Sequence, residues 1–100
     1  MKKVDETAKH ELELYLYNTS ELYPKFQSII ANLQKKLKAL KYDHSLAPKL
    51  WEYWVEEGAK RYCKEFGGSL ATSFPATLRR ELAKEIADDE FQRMSRGEYK

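Results

Sequence analysis

The sequence predicts an all-α protein, a compact bundle of four to five short helices. Apolar residues recur at intervals of three and four, the period of a helix with one buried side. Glycine and proline number only four and three in 100 residues, too few for a loop-rich sandwich. Apolar residues make up 42% and charged residues 34%, too apolar for a disordered chain and too charged for a membrane protein. The length fits one domain, residues 1–100, with 1–5 and 97–100 expected to fray.

The stretch Glu6 to Tyr17 carries two periods at once. Leu12, Leu14 and Leu16 alternate as in a strand, whereas Leu12, Tyr15 and Leu16 fall on one side of a helix. Its Glu, Leu, Lys and Ala content favours the helix. Asn18-Thr19-Ser20 breaks it, and Ser20 is placed to cap the next helix, with Pro24 in the first turn. Phe26, Ile30, Leu33, Leu37 and Leu40 then mark the clearest helix, spaced alternately four and three and running to about Lys41.

Tyr42 to Ser45 forms the next break, where Asp43 or Ser45 can cap. With Ser45 as cap, Pro48 lies in the first turn of a third helix that runs to Phe66. Leu50, Trp54, Gly58, Tyr62 and Phe66 share a row in it. Gly58 in mid-helix costs about 1 kcal/mol relative to alanine and implies a close helix crossing. Gly67-Gly68 stops the helix, and Ser69 to Phe74 reads as a loop with room for a short turn. Pro75 opens a fourth helix on Leu78, Leu82 and Ile86, which Asp88-Asp89 either continues or divides, and Gly97 ends. The second and third helices form the expected core hairpin. The expected core is Phe26, Ile30, Leu33, Leu37, Leu50, Trp54, Val55, Tyr62, Phe66, Leu78, Leu82 and Ile86.

Several chemistries find no support. The single cysteine, Cys63, excludes an intramolecular disulfide and reads as a small buried hydrophobe. His10 and His44 have no zinc-ligand spacing, and Glu81 with Glu85 lack the Glu-x-x-His partners of a bundle metal site. These carboxylates read as a solvated helix face. No phosphate-cradling glycine motif occurs. No residue is therefore assigned to catalysis, a cofactor or a metal. The first residues carry no apolar run, and none elsewhere approaches the ~20 residues of a membrane span, so a cytoplasmic location is expected.

Two kinds of surface remain. Aromatics exposed among charges mark protein interfaces, and Trp51, Tyr53, Tyr15 and Tyr23 are the candidates. Lys35 and Lys36, then Lys60, Arg61 and Lys64, then Arg79 and Arg80, form basic groups. On one common face they would bind phosphates, although a net charge of +2 is modest for a dedicated nucleic-acid protein. Pairs such as Glu57 and Arg61 fit an ordinary mixed helix surface equally well.

The order Glu11-Leu12, Leu14-Tyr15, Leu22-Tyr23, Asn32-Leu33, Lys35-Lys36, Tyr42-Asp43, Leu50-Trp51, Tyr53 and Gly58-Ala59-Lys60 to Phe66, followed by Phe74-Pro75, Arg79 or Arg80 and Ala83, resembles a group of short, uncharacterised proteins of bacteriophages and other mobile elements. The likeness covers about residues 11–95. His44 stands where that group carries a proline at the helix start, and Pro48 comes later instead. The group has no assigned activity, so the resemblance implies no catalytic residue. The expected function is a non-catalytic helical module that binds a protein partner, as a monomer or homodimer. The alternative is a small nucleic-acid-binding protein using the basic helix faces.

Overall fold

Residues 4–99, which the computed structural model describes, form five α-helices and one 3-10 turn, with no strand among them. The helices are α1 (Glu6–Asn18), α2 (Tyr23–Lys38), α3 (Ala47–Phe66), α4 (Leu70–Ser73) and α5 (Ala76–Ser95). The 3-10 turn, Ser20–Leu22, joins α1 to α2. The all-α class stands as expected.

The two periods of α1 resolve by burial. Leu12 and Leu16, one turn apart, are buried, whereas Leu14 is 48% exposed. A strand would have kept all three together. Asp5 caps the helix by accepting from the Ala8 amide at 3.1 Å. Ser20 does not cap α2; its hydroxyl donates to Glu21, and the 3-10 turn tightens the entry instead. Pro24 lies in the first turn of α2, as expected.

α2 ends in a Schellman arrangement: Lys41 N–H donates to the Lys36 carbonyl and Leu40 N–H to that of Leu37. The left-handed position, normally glycine, is Leu40 at φ 59°, with 94% of its surface in water. Beyond it, Asp43 organises the start of α3 and Ser45 does not. Its carboxylate accepts from the Ser45 amide at 2.8 Å and hydroxyl at 2.6 Å, and its carbonyl accepts from the amides of Leu46 and Ala47. The Ser45 hydroxyl and amide hold the Asp43 carboxyl below its ordinary range.

α3 is the hub of the molecule. Trp51, Trp54, Val55, Gly58 and Ala59 are buried on it at helical spacing. This stripe is rotated from the expected row. Leu50 and Tyr62 are half-buried, and Phe66, expected in the core, is 63% exposed. Phe66 ends its helix just before Gly67, whose φ of 88° turns the chain away before another element covers the ring. Leu37 is likewise only half-buried. Trp51 and Trp54 lie 5.5 and 5.1 Å from the Phe26 ring, between centroids, which joins α2 to α3. Trp54 also donates its indole N–H to the Leu22 carbonyl at 2.9 Å.

The expected α2–α3 hairpin is not the main pairing. α3 makes its most extensive contact with α5. The two helices run antiparallel, with Arg79 paired to Glu56 and Arg80 facing Glu52. Leu78, Leu82, Ala83, Ile86 and Ala87 supply the buried side of α5. That helix continues unbroken through Asp88-Asp89. Within the 69–74 segment the short turn is α4, which leads to the buried Phe74. α1 lies against both α3 and α5. At Gly58 the crossing is close: an added Cβ would collide with Leu16 Cδ2 and stand 3.1 Å from Leu16 Cγ.

Two buried charges were not foreseen. Lys9 is 7% exposed and binds Glu6, Glu81 and Glu85, with Nζ 2.9 Å from each of the first two. Glu81 and Glu85 are thus a clamp from α5 on α1, not merely a solvated face. Glu90 is fully buried and accepts from Tyr17 at 2.7 Å and from Tyr99. Tyr99 also accepts from Gln34 through its carbonyl, so this part of the C-terminal segment is fastened where fraying was expected. Lys100 and residues 1–3 lie outside the described residues.

Burial opposes the Lys9 charge, yet its glutamates outweigh burial and hold the ammonium well above the ordinary lysine range. Burial, reinforced by Glu90, raises Tyr17 strongly and pushes Tyr99 up to about 12. All three keep their protons in the fold after the unfolded chain loses them. Their contribution is therefore complete below about pH 10 and declines as pH rises above it. The urea midpoint should fall from about pH 10 towards 12, and Tyr99→Phe should flatten that fall. A Gly58→Ala protein should lose about 1–3 kcal/mol by overpacking against Leu16, despite alanine's better helix propensity. Leu40→Gly should gain about 1 kcal/mol, because it relieves a left-handed residue and uncovers nothing. Urea denaturation reads both, and a destabilised Leu40→Gly protein would contradict the strain assigned to that turn.

Candidate functional site

The expected surface residues separate into distinct places. Trp51 is no interface residue: it is fully buried, wedged between Phe26 and Trp54. Tyr53 is 66% exposed on the outer side of α3. Tyr23 is 56% exposed and stacks on Phe26. Tyr15 is half-buried and belongs to a cluster with Tyr62 and Phe66, at ring centroid distances of 5.2 and 6.2 Å.

The basic groups do not share one groove. Arg79 leaves the nucleic-acid set altogether, since its side chain is 14% exposed and its guanidinium is held by both carboxylate oxygens of Glu56. Lys36 lines a small hollow of about 210 Å³ with Asp43 and Lys49. Arg80 lines a groove between α3 and α5 with His44, Lys49 and Lys84. Lys35 is exposed at the end of α2.

Lys60, Arg61 and Lys64 do converge. They form one wall of a groove of about 680 Å³ between the second half of α3 and the end of α1. Tyr15, Asn18, Thr19 and Ser20 form the other wall, and Glu21 and Glu65 also line it. Local chemistry sets this shape. Thr19 donates its hydroxyl to the Tyr15 carbonyl at 2.6 Å, which closes the last turn of α1. The Tyr15 hydroxyl donates to Glu65 at 2.8 Å, which ties α1 to α3. Burial and the Glu65 carboxylate raise the Tyr15 phenol above its ordinary range, while the nearby Arg61 charge opposes that rise.

The cations of this groove have no ion-pair partner among the described residues, and the reason lies in α3 itself. Glu56 and Glu57 stand one turn before Lys60 and Arg61, the spacing of helix-surface pairs. Both are drawn elsewhere, Glu57 to Lys25 of α2 at 2.9 Å and Glu56 to Arg79 of α5. In the groove the three cations therefore outnumber the carboxylates of Glu21 and Glu65. Sequence reasoning named Tyr15 and these three cations separately, for different partners, and the fold brings them together. It missed Phe66, whose place in the last turn before Gly67-Gly68 was the available signal.

The groove offers cations, a phenol and hydroxyls on rigid helical walls, an arrangement for binding. Among the described residues, no three His, Cys, Asp or Glu side chains gather where they could hold a metal ion. No described helix is long and apolar enough to cross a membrane. No family model, curated protein or solved structure matches the chain.

Proposed function

We propose that this chain is a non-catalytic helical binding module, of the phage or mobile-element kind its sequence resembles. It acts by protein–protein contact at the α1–α3 groove. The observation that carries this is the meeting of an aromatic residue with cations that have no ion-pair partner among the described residues. Tyr15 lines the groove with Lys60, Arg61 and Lys64, and the 63%-exposed Phe66 packs against Tyr15. Aromatic and arginine side chains supply most hot spots at protein interfaces. A lone, half-buried Cys63 fits a module that works in the cytoplasm.

Nucleic acid is the weaker reading. It retains Lys60, Arg61 and Lys64 but loses Arg79, while Lys36 and Arg80 line other grooves. The test is capture from nuclease-treated lysate of the native host, with wild type, Arg61→Glu/Lys64→Glu, Phe66→Ser and Tyr53→Ser as baits. All these side chains are exposed, so circular dichroism should show the same fold. A partner protein should be retained by wild type and Tyr53→Ser and weakened about tenfold or more by the groove variants, a loss of about 1.4 kcal/mol or greater. Equal retention by every bait would remove the groove from the proposal. Retention that disappears with nuclease treatment would favour nucleic acid.

A further inference from the structure

We infer that the segment received by this groove is an acidic helix. This rests on the protein-contact reading above. The chemistry follows from how α3 spends its own acids. Its glutamates are Glu52, Glu56, Glu57 and Glu65. They face Arg80, Arg79, Lys25 and the Tyr15 hydroxyl respectively. Each is directed to another helix. Of these only Glu65 lines the groove, and with Glu21 it faces three cations, so Lys60, Arg61 and Lys64 leave an excess of positive charge there for an acidic segment.

Their spacing selects the form of the partner. Lys60 and Lys64 are one helical turn apart, about 6 Å along the axis. Two carboxylates at i and i+4 on a partner helix repeat at the same distance and can meet both. Arg61, beside them and near the Tyr15 phenol, can take a third acceptor in a forked contact.

A nucleic-acid backbone fits the same wall less well. Its phosphates would meet Glu65 and Glu21, which line the groove with the cations. No second basic group extends the track, because Arg80 and Lys84 line a separate groove that also holds Glu52 and Glu81. A protein segment can place carboxylates at the three cations alone and leave the glutamates facing neutral or basic residues.

The probes are a fluorescein-labelled synthetic helical peptide with glutamates at i and i+4, its lysine counterpart, and a single-stranded thymidine oligonucleotide. Anisotropy would be followed at about 50 and 200 mM salt, a range over which charge-driven binding weakens. The acidic peptide should bind, weaken several-fold at the higher salt and lose about tenfold or more with Arg61→Glu/Lys64→Glu. The lysine peptide should bind that variant better than it binds wild type. An acidic peptide that fails to bind, or binds the charge-reversed protein equally, would overturn the inference. So would tighter binding of the oligonucleotide. A captured partner that crosslinks to the groove through a segment without acidic residues would overturn it too, while leaving the protein-contact reading in place.

Discussion

The close passage of α1 over α3 at Gly58 is the constraint on which the rest of the structure depends. Leu16 occupies the space a Cβ would take, and Leu22 lies just behind it. With the backbones drawn together there, the stripe of α3 that must be buried is fixed. Trp51 and Trp54 then point towards Phe26 of α2, while α5 takes the adjoining side with its alanines. A larger residue at position 58 would push α1 outward and loosen both walls of the groove at once. The same approach that closes the core therefore sets the width of the candidate site.

The charges follow from that packing. Once α3 is surrounded, its glutamates lie within reach of cations on α2 and α5, and these pairs join elements distant in sequence. Of these, the exposed Lys25–Glu57 pair adds little stability, about 0–1 kcal/mol, whereas the Arg79 guanidinium is largely buried. Their larger consequence is distribution. By engaging Glu56 and Glu57 they leave Lys60 and Arg61 without the neighbours that a lone helix would supply. A local excess of positive charge arises in a chain whose total is only +2. Net charge could not have revealed it.

How much was legible follows the same division. Helix existence, the glycine stop at Gly67-Gly68 and the crossing at Gly58 rest on local chemistry, and local chemistry is written in the sequence. The rotation of the α3 stripe is not, because Trp51 and Leu50 are equally apolar and only the positions of α2 and α5 decide between them. At the start of α3 two side chains could cap and neither does; the Asp43 carboxylate instead holds the preceding turn by accepting from Ser45. Leu40 misled, since its spacing placed it on the helix seam and leucine seldom takes the left-handed position it occupies. The buried charges were invisible for a different reason. Lys9 and Glu90 look like surface residues until their partners arrive from positions more than 70 residues away. At the site, Tyr15 and the three cations could be named singly but not joined, because their meeting depends on where α1 ends against α3.

The thinness of the molecule explains why tyrosine outnumbers phenylalanine by seven to four. Its Cα positions span 41 × 33 × 17 Å, so rings at the margin have one side in the core and the other in water. A phenylalanine there would leave apolar surface exposed, whereas tyrosine ends in a group that water or a carboxylate can satisfy. The fold uses that ending repeatedly. Tyr15 reaches Glu65, Tyr17 and Tyr99 reach Glu90, and Tyr62 reaches Glu11. Each bond ties one element to another at the rim, where burial alone is weakest. Phe66 stands outside this pattern as a marginal ring with no polar end, next to the one rim bond that frames the groove.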